Sequence, residues 1–61
     1  MKLEDIVTII DKEHVWFNLT GRITKVWEDG EYKYRVTILD TTFSTHCKED
    51  QLEKVEDNGT N

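Results

Sequence analysis

The apolar positions of this chain fall into short stretches separated by Asp, Asn and Thr clusters, and their spacing predicts strands. The clearest is residues 32–38, YKYRVTI, where Tyr32, Tyr34, Val36 and Ile38 take one face and Lys33, Arg35 and Thr37 the other. Residues 5–10, DIVTII, are β-branched almost throughout and too crowded at χ1 for a good helix, so they read as a first strand. Residues 20–27 make a second, in which Ile23 and Val26 stand three apart. That spacing fits a strand bent by a bulge so that both residues face one core. Phe43, Thr45 and Cys47 alternate with Ser44 and His46 in a fourth strand over residues 43–47. Residues 48–52 suit one 3₁₀ turn, and residues 53–55 a last short strand.

The connections follow from the same pattern. Residues 11–19, DKEHVWFNL, have a clean period of neither two nor 3.6 and are expected to be a structured loop. Asp29-Gly30 is a strong hairpin signal, because a left-handed turn conformation suits both residues. Proline is absent, glycine occurs only at Gly21, Gly30 and Gly59, and the polar residues 57–61 are expected to fray as a tail. The expected core is Val7, Ile9, Ile23, Val26, Tyr34, Val36 and Leu52, in one domain over residues 1–56. At 61 residues the chain, which begins with Met1 and reads as a whole gene product, has a marginal core.

The order of pieces resembles the small SH3-like barrels over roughly residues 3–55. Residues 21–26, GRITKV, look like the Gly-x-Val-x-x-Val strand of many such barrels, and residues 51–55, QLEKV, like their closing segment. The resemblance implies an all-β, five-stranded, strongly bent antiparallel SH3-like barrel with a 3₁₀ turn before the last strand. It also implies a stand-alone module of the kind that bacterial and phage genomes encode. Two departures bear on function: the ligand-binding aromatic motif of signalling SH3 domains is missing, and the basic loop residues of ribosomal and transcription-factor barrels are replaced by acids. Fold alone does not set function.

Composition narrows the remaining choices. Charged residues are 34% of the chain, and 13 Asp and Glu against 8 Lys and Arg give a net charge of -5, with no basic run. Direct nucleic-acid binding is therefore not expected. Arg22, Lys25, Lys33 and Arg35 are expected to form the solvent face of the hairpin, paired across strands with Glu28 and Glu31. With Cys47 as the sole cysteine there is no internal disulfide, and with no signal or spanning segment the expected location is the cytoplasm. The two Asn-x-Thr sequons at Asn18 and Asn58 are then accidents of composition.

Catalysis is not expected. His14, His46 and Cys47 with Asp11, Glu49 and Asp50 are the only reactive set, but neighbours on a strand point to opposite faces, so His46 and Cys47 do not converge on a metal or a substrate. Cys47 reads as a small buried apolar residue. No cofactor or metal is implied. The aromatic residues carry the functional expectation instead. Trp16 and Phe17 in the loop, and Trp27 and Tyr32 beside the turn, are expected to border one edge, ringed by Glu13, Glu28 and Asp29, with Asp11 and Glu31 nearby. Such a groove suits a basic peptide or protein through cation–π contact and charge complementarity. Three other readings stand beside it: an acidic, DNA-mimicking inhibitor of a nucleic-acid-handling protein, a homodimer or larger homo-oligomer formed on the exposed aromatics, and tryptophans that simply plug the core.

Overall fold

A computed structural model describes residues 1–55. It contains strands β1 (Ile6–Ile9), β2 (Thr20–Val26), β3 (Tyr34–Ile38) and β4 (Ser44–Cys47), a 3₁₀ turn (Glu49–Gln51) and β5 (Leu52–Lys54). All five expected strands are present, joined in one antiparallel sheet in the order β4-β3-β2-β1-β5. Among the described residues no ladder joins β4 to β5, so the five expected antiparallel strands form a sheet that is not closed. The 3₁₀ turn spans the gap between those edges: Lys48 N–H donates to the Gln51 side chain at 2.8 Å, and Ile10 N–H donates to the Gln51 carbonyl at 2.8 Å. Residues 57–61, the expected tail, lie outside the described residues.

The bulge in β2 sets which side chains meet. Ile23 pairs with Val36 and Lys25 with Arg35, so Thr24 is inserted without a partner of its own. Beyond it the faces are reset: Val26 stands opposite Tyr34 on the core face, while Lys25 joins Arg35 on the outer face. Were the same sequence to run as an unbulged strand, every side chain after Ile23 would point the other way. Earlier in β2, Gly21 lies where a Cβ would come within 2.6 Å of both the Thr37 carbonyl oxygen and Val36 Cγ1, so the close approach of β3 there requires glycine.

The core is Val7, Ile9, Ile23, Tyr34, Val36, Ile38, Cys47 and Leu52, with Met1 and Trp16 packed against it. Six of the seven expected core residues are there. Val26 is the exception: it faces the core side but is 39% exposed, because β2 ends at that residue and nothing lies over it. Ile38 and Cys47 complete the set.

Strand ends also shift. β3 begins at Tyr34, so Tyr32 is 50% exposed instead of sharing the core face. The reason is the turn: Trp27 N–H donates to the Lys33 carbonyl at 2.8 Å, and residues 28–32 form a longer loop in which Gly30 takes φ 94°, in place of a two-residue hairpin. Phe43 lies just outside β4 and is 63% exposed, because Phe43 N–H is drawn to Thr41 Oγ1 in the turn. Asn18 in the β1–β2 loop and Asp40 in the β3–β4 turn adopt positive φ, as short polar side chains tolerate.

Candidate functional site

In an antiparallel sheet of this order the β1–β2 loop and the β3–β4 turn share one end. The β2–β3 turn lies at the other, and the 3₁₀ segment crosses between them, with Lys48, Glu49 and Asp50 beside that turn and Gln51 bonded to the β1–β2 loop. The expected groove is divided by this arrangement: Trp16, Phe17 and Glu13 lie at the first end, and Trp27, Glu28, Asp29 and Tyr32 at the second. Seven residues of β2 separate them, about 20 Å of strand. The four aromatics do not border one edge.

At the first end, residues 11–19 are wound by short-range bonds. His14 N–H donates to the Asp11 carbonyl at 3.0 Å, Phe17 N–H to the His14 carbonyl at 3.0 Å, and Trp16 N–H to His14 Nδ1 at 2.9 Å. Asp11 anchors the loop: one carboxylate oxygen accepts from Gln51 Nε2 at 2.8 Å and the other from Glu13 N–H at 3.0 Å. These two bonds, that from Gln51 foremost, hold its carboxyl below its ordinary value. The loop turns the Trp16 ring onto the core, with its centroid 6.2 Å from that of Phe43 and 6.2 Å from that of His14. Phe43 and Phe17 remain exposed beside it, with Val15 at 86% exposure.

At the second end the aromatics are separate. Trp27 lies edge-to-face with His46 at 5.2 Å, with Lys25 Nζ 5.6 Å from its ring, while Tyr32 has Lys48 Nζ 5.9 Å from its ring. An open groove of about 630 Å³ runs between the turn and the 3₁₀ segment, lined by Gly30, Glu31, Lys33, Lys48, Glu49 and Asp50. It is a furrow lined mainly by charged side chains.

The reactive set is dispersed. Cys47 is fully buried opposite Tyr34, and burial, then the charge of Asp11, pushes its thiol up to about 11. His46 stands opposite Arg35 on the outer face, so the two neighbours do point apart. Burial, then the charge of Glu49, also raises Tyr34. Among the described residues no group of three or more His, Cys, Asp or Glu side chains could hold a metal ion, and no helix is long and apolar enough to cross a membrane.

Two contacts were missed by sequence reasoning. Phe43 shares the alternation of Thr45 and Cys47, and nothing local says that it meets Trp16. The meeting of Trp27 with His46 depends on the bulge, which shifts Trp27 to the outer face.

The fold and site together define a small all-β domain of five antiparallel strands. The solution NMR structure of YorP from Bacillus subtilis is similar to it, with a TM-score of 0.78 and 19% identity over 98% of this chain and 75% of that one. No protein-family model and no curated protein matches the chain.

Proposed function

We propose that this chain is a non-enzymatic protein-binding module of SH3-like build that docks a basic partner at the end formed by the β1–β2 loop and the β3–β4 turn. The strand order, the pairing of β1 with β5 and the 3₁₀ turn before the last strand support the SH3-like assignment. The observation that carries the binding reading is the Trp16–Phe43 contact. It seats Trp16 on the core and leaves Phe43, Phe17 and Val15 exposed around it. Exposed aromatic surface of this kind, held on a rigid base, is where interface energy concentrates. Asp11, Glu13 and Asp40 edge it, which favours lysine and arginine on the partner. Glu13, Trp16 and Phe17 are thus retained as partner-binding residues, with Phe43 added. The burial of Cys47 and the separation of the reactive side chains support a module without catalysis.

Binding to an array of lysine- and arginine-rich peptides, followed by calorimetry on the best of them, tests the reading. Phe43→Ser should weaken the interaction at least about tenfold, with the melting temperature nearly unchanged. Full affinity in Phe43→Ser and Phe17→Ser alike would remove the docking site from this end. Sedimentation of the wild type separates the homo-oligomer alternative: concentration-dependent dimers abolished by Phe43→Ser would make a second copy the occupant.

A further inference from the structure

The outer face of β2, β3 and β4 is cationic in a chain of net charge -5. Residues 20–27, 33–38 and 44–48 contain no aspartate or glutamate, although they hold Arg22, Lys25, Lys33, Arg35 and His46. The register aligns three of these side by side: Lys25 is opposite Arg35, and Arg35 is opposite His46. At about 4.8 Å per strand they form a row roughly 10 Å long. The cross-strand pairing with Glu28 and Glu31 expected from the sequence is not made. Among the described residues the ion pairs are Arg22 with Glu4 at 3.8 Å and Lys54 with Asp5 at 3.9 Å, and neither involves Lys25, Lys33 or Arg35.

Like charges directly opposite one another on a sheet cost stability. The fold carries that cost at Lys25 and Arg35 and holds one member in place: Arg35 Nε donates to Thr24 Oγ1 at 3.1 Å, and Thr24 lies 3.1 Å from Thr37 Oγ1. With Nε engaged, the two terminal amino groups of the guanidinium stay available for an anion. The next position on this face is Trp27, whose backbone N–H bonds to the Lys33 carbonyl at 2.8 Å and whose ring lies beside Lys25 and His46. A row of cations would suit any polyanion. A row of cations beside an indole suits a polyanion that also has flat rings to stack.

We propose that the outer face of β2–β4 binds single-stranded nucleic acid, its phosphates on Lys25, Arg35 and their neighbours and an unstacked base against Trp27. Single strands are favoured because a base paired in a duplex cannot reach an aromatic side chain on a sheet. The net negative charge does not prevent this. Apart from Glu53 in β5, the acids of residues 1–55 lie outside the strands, Glu28 beside Trp27 being the nearest in sequence, and salt largely screens those further off than the Debye length, about 8 Å at physiological ionic strength. This face is separate from the Trp16–Phe43 end, so the two readings stand or fall independently.

Fluorescence anisotropy of labelled oligothymidylate and oligouridylate, with a duplex and a polyglutamate as competitors, tests the proposal. The wild type should bind both single strands more tightly than the duplex, with log affinity falling against log salt at a slope of about -2 for three phosphate contacts. Trp27→Ala should weaken binding about tenfold. Lys25→Thr should weaken it severalfold while the melting temperature stays level or rises, since a like-charge pair is relieved. Should Trp27→Ala fail to fold, Lys25→Thr still decides the matter, and Phe43→Ser should bind nucleic acid as the wild type does. No saturable binding at low salt, or no loss in Lys25→Thr, overturns the proposal. So does polyglutamate competing as well as the single strands with no dependence on Trp27, an outcome that would assign the face to an acidic protein.

Discussion

Arg35 and Thr24 face each other across the bulge of β2, joined by the 3.1 Å hydrogen bond from the guanidinium Nε to the threonine hydroxyl. The residue that interrupts the ladder therefore fixes the side chain at the centre of the cationic face. Thr24 also donates to the Arg35 carbonyl at 3.3 Å, so one hydroxyl ties together the bulge, the neighbouring strand and the arginine.

Replacing Thr24 with valine should cost about 1 kcal/mol in denaturant melts, the usual net worth of a partly exposed hydrogen-bonded hydroxyl. Deleting Thr24 is a different change. It should leave a folded protein, because Ile23, Lys25 and Val26 would then alternate regularly, with Lys25 still opposite Arg35 and Val26 opposite Tyr34, while Arg35 Nε would lose its partner. A deletion variant that fails to fold cooperatively would contradict the register.

Val36 and Val26 lie on the same side of the sheet but differ in burial. Val36→Ala should cost about 2 kcal/mol or more, a large share of the stability of so small a domain. Val26→Ala should cost less than about 1 kcal/mol, since little apolar area is lost. Paired urea melts measure both, and equal costs would be inconsistent with the core described.

Cys47 should react slowly with a thiol reagent in the native state and at once in denaturant, because burial disfavours the thiolate. Its raised pKa sets a direction for stability as well. The buried thiol is in its favoured form below the pKa of an unfolded cysteine, near 8.5. The contribution is lost as pH rises towards about 11. Melts between neutral and alkaline pH should therefore show a decline that is reduced in Cys47→Ala.

Asp11 gives the opposite sign. Its carboxyl is depressed, chiefly by the bond from Gln51, so its stabilising effect is present above the pKa of an unfolded aspartate and lost as pH falls through the native value. Gln51→Leu should move the Asp11 titration, followed by carboxyl NMR, upwards, with the Glu13 N–H bond still holding it below its ordinary range. An unmoved titration would mean that the Gln51 side chain does not hold the β1–β2 loop to the 3₁₀ turn.

The strands and the bulge were legible because they are written in local spacing: Tyr34, Val36 and Ile38 alternate, and Ile23 and Val26 stand three apart. What was not legible depends on contacts between distant residues. Alternation alone puts Tyr32 on the face of Tyr34 and Phe43 on that of Cys47, but both fall just outside their strands, beside the turns, and stay exposed. Trp16 and Trp27 look alike in sequence, each an aromatic beside acids. The topology sends one to the core end and the other to the outer face. Arg22, Lys25 and Arg35 were placed on adjoining strands correctly, with Lys33 just before β3, yet that Lys25, Lys33 and Arg35 have no ion pair among the described residues follows only from the register.

The pairing of Val7 with Lys54 brings together residues 47 positions apart, whereas β2, β3 and β4 follow one another as a local meander. The two halves of the sheet therefore have different folding schedules. The meander closes short loops and can assemble early, but β1 stays half-paired until Leu52–Lys54 arrive to flank it, and closing so long a loop makes that step the slow one. A ribosome making this chain would hold the molecule short of completion until β5 had cleared the exit tunnel, with β1 an open edge throughout that wait.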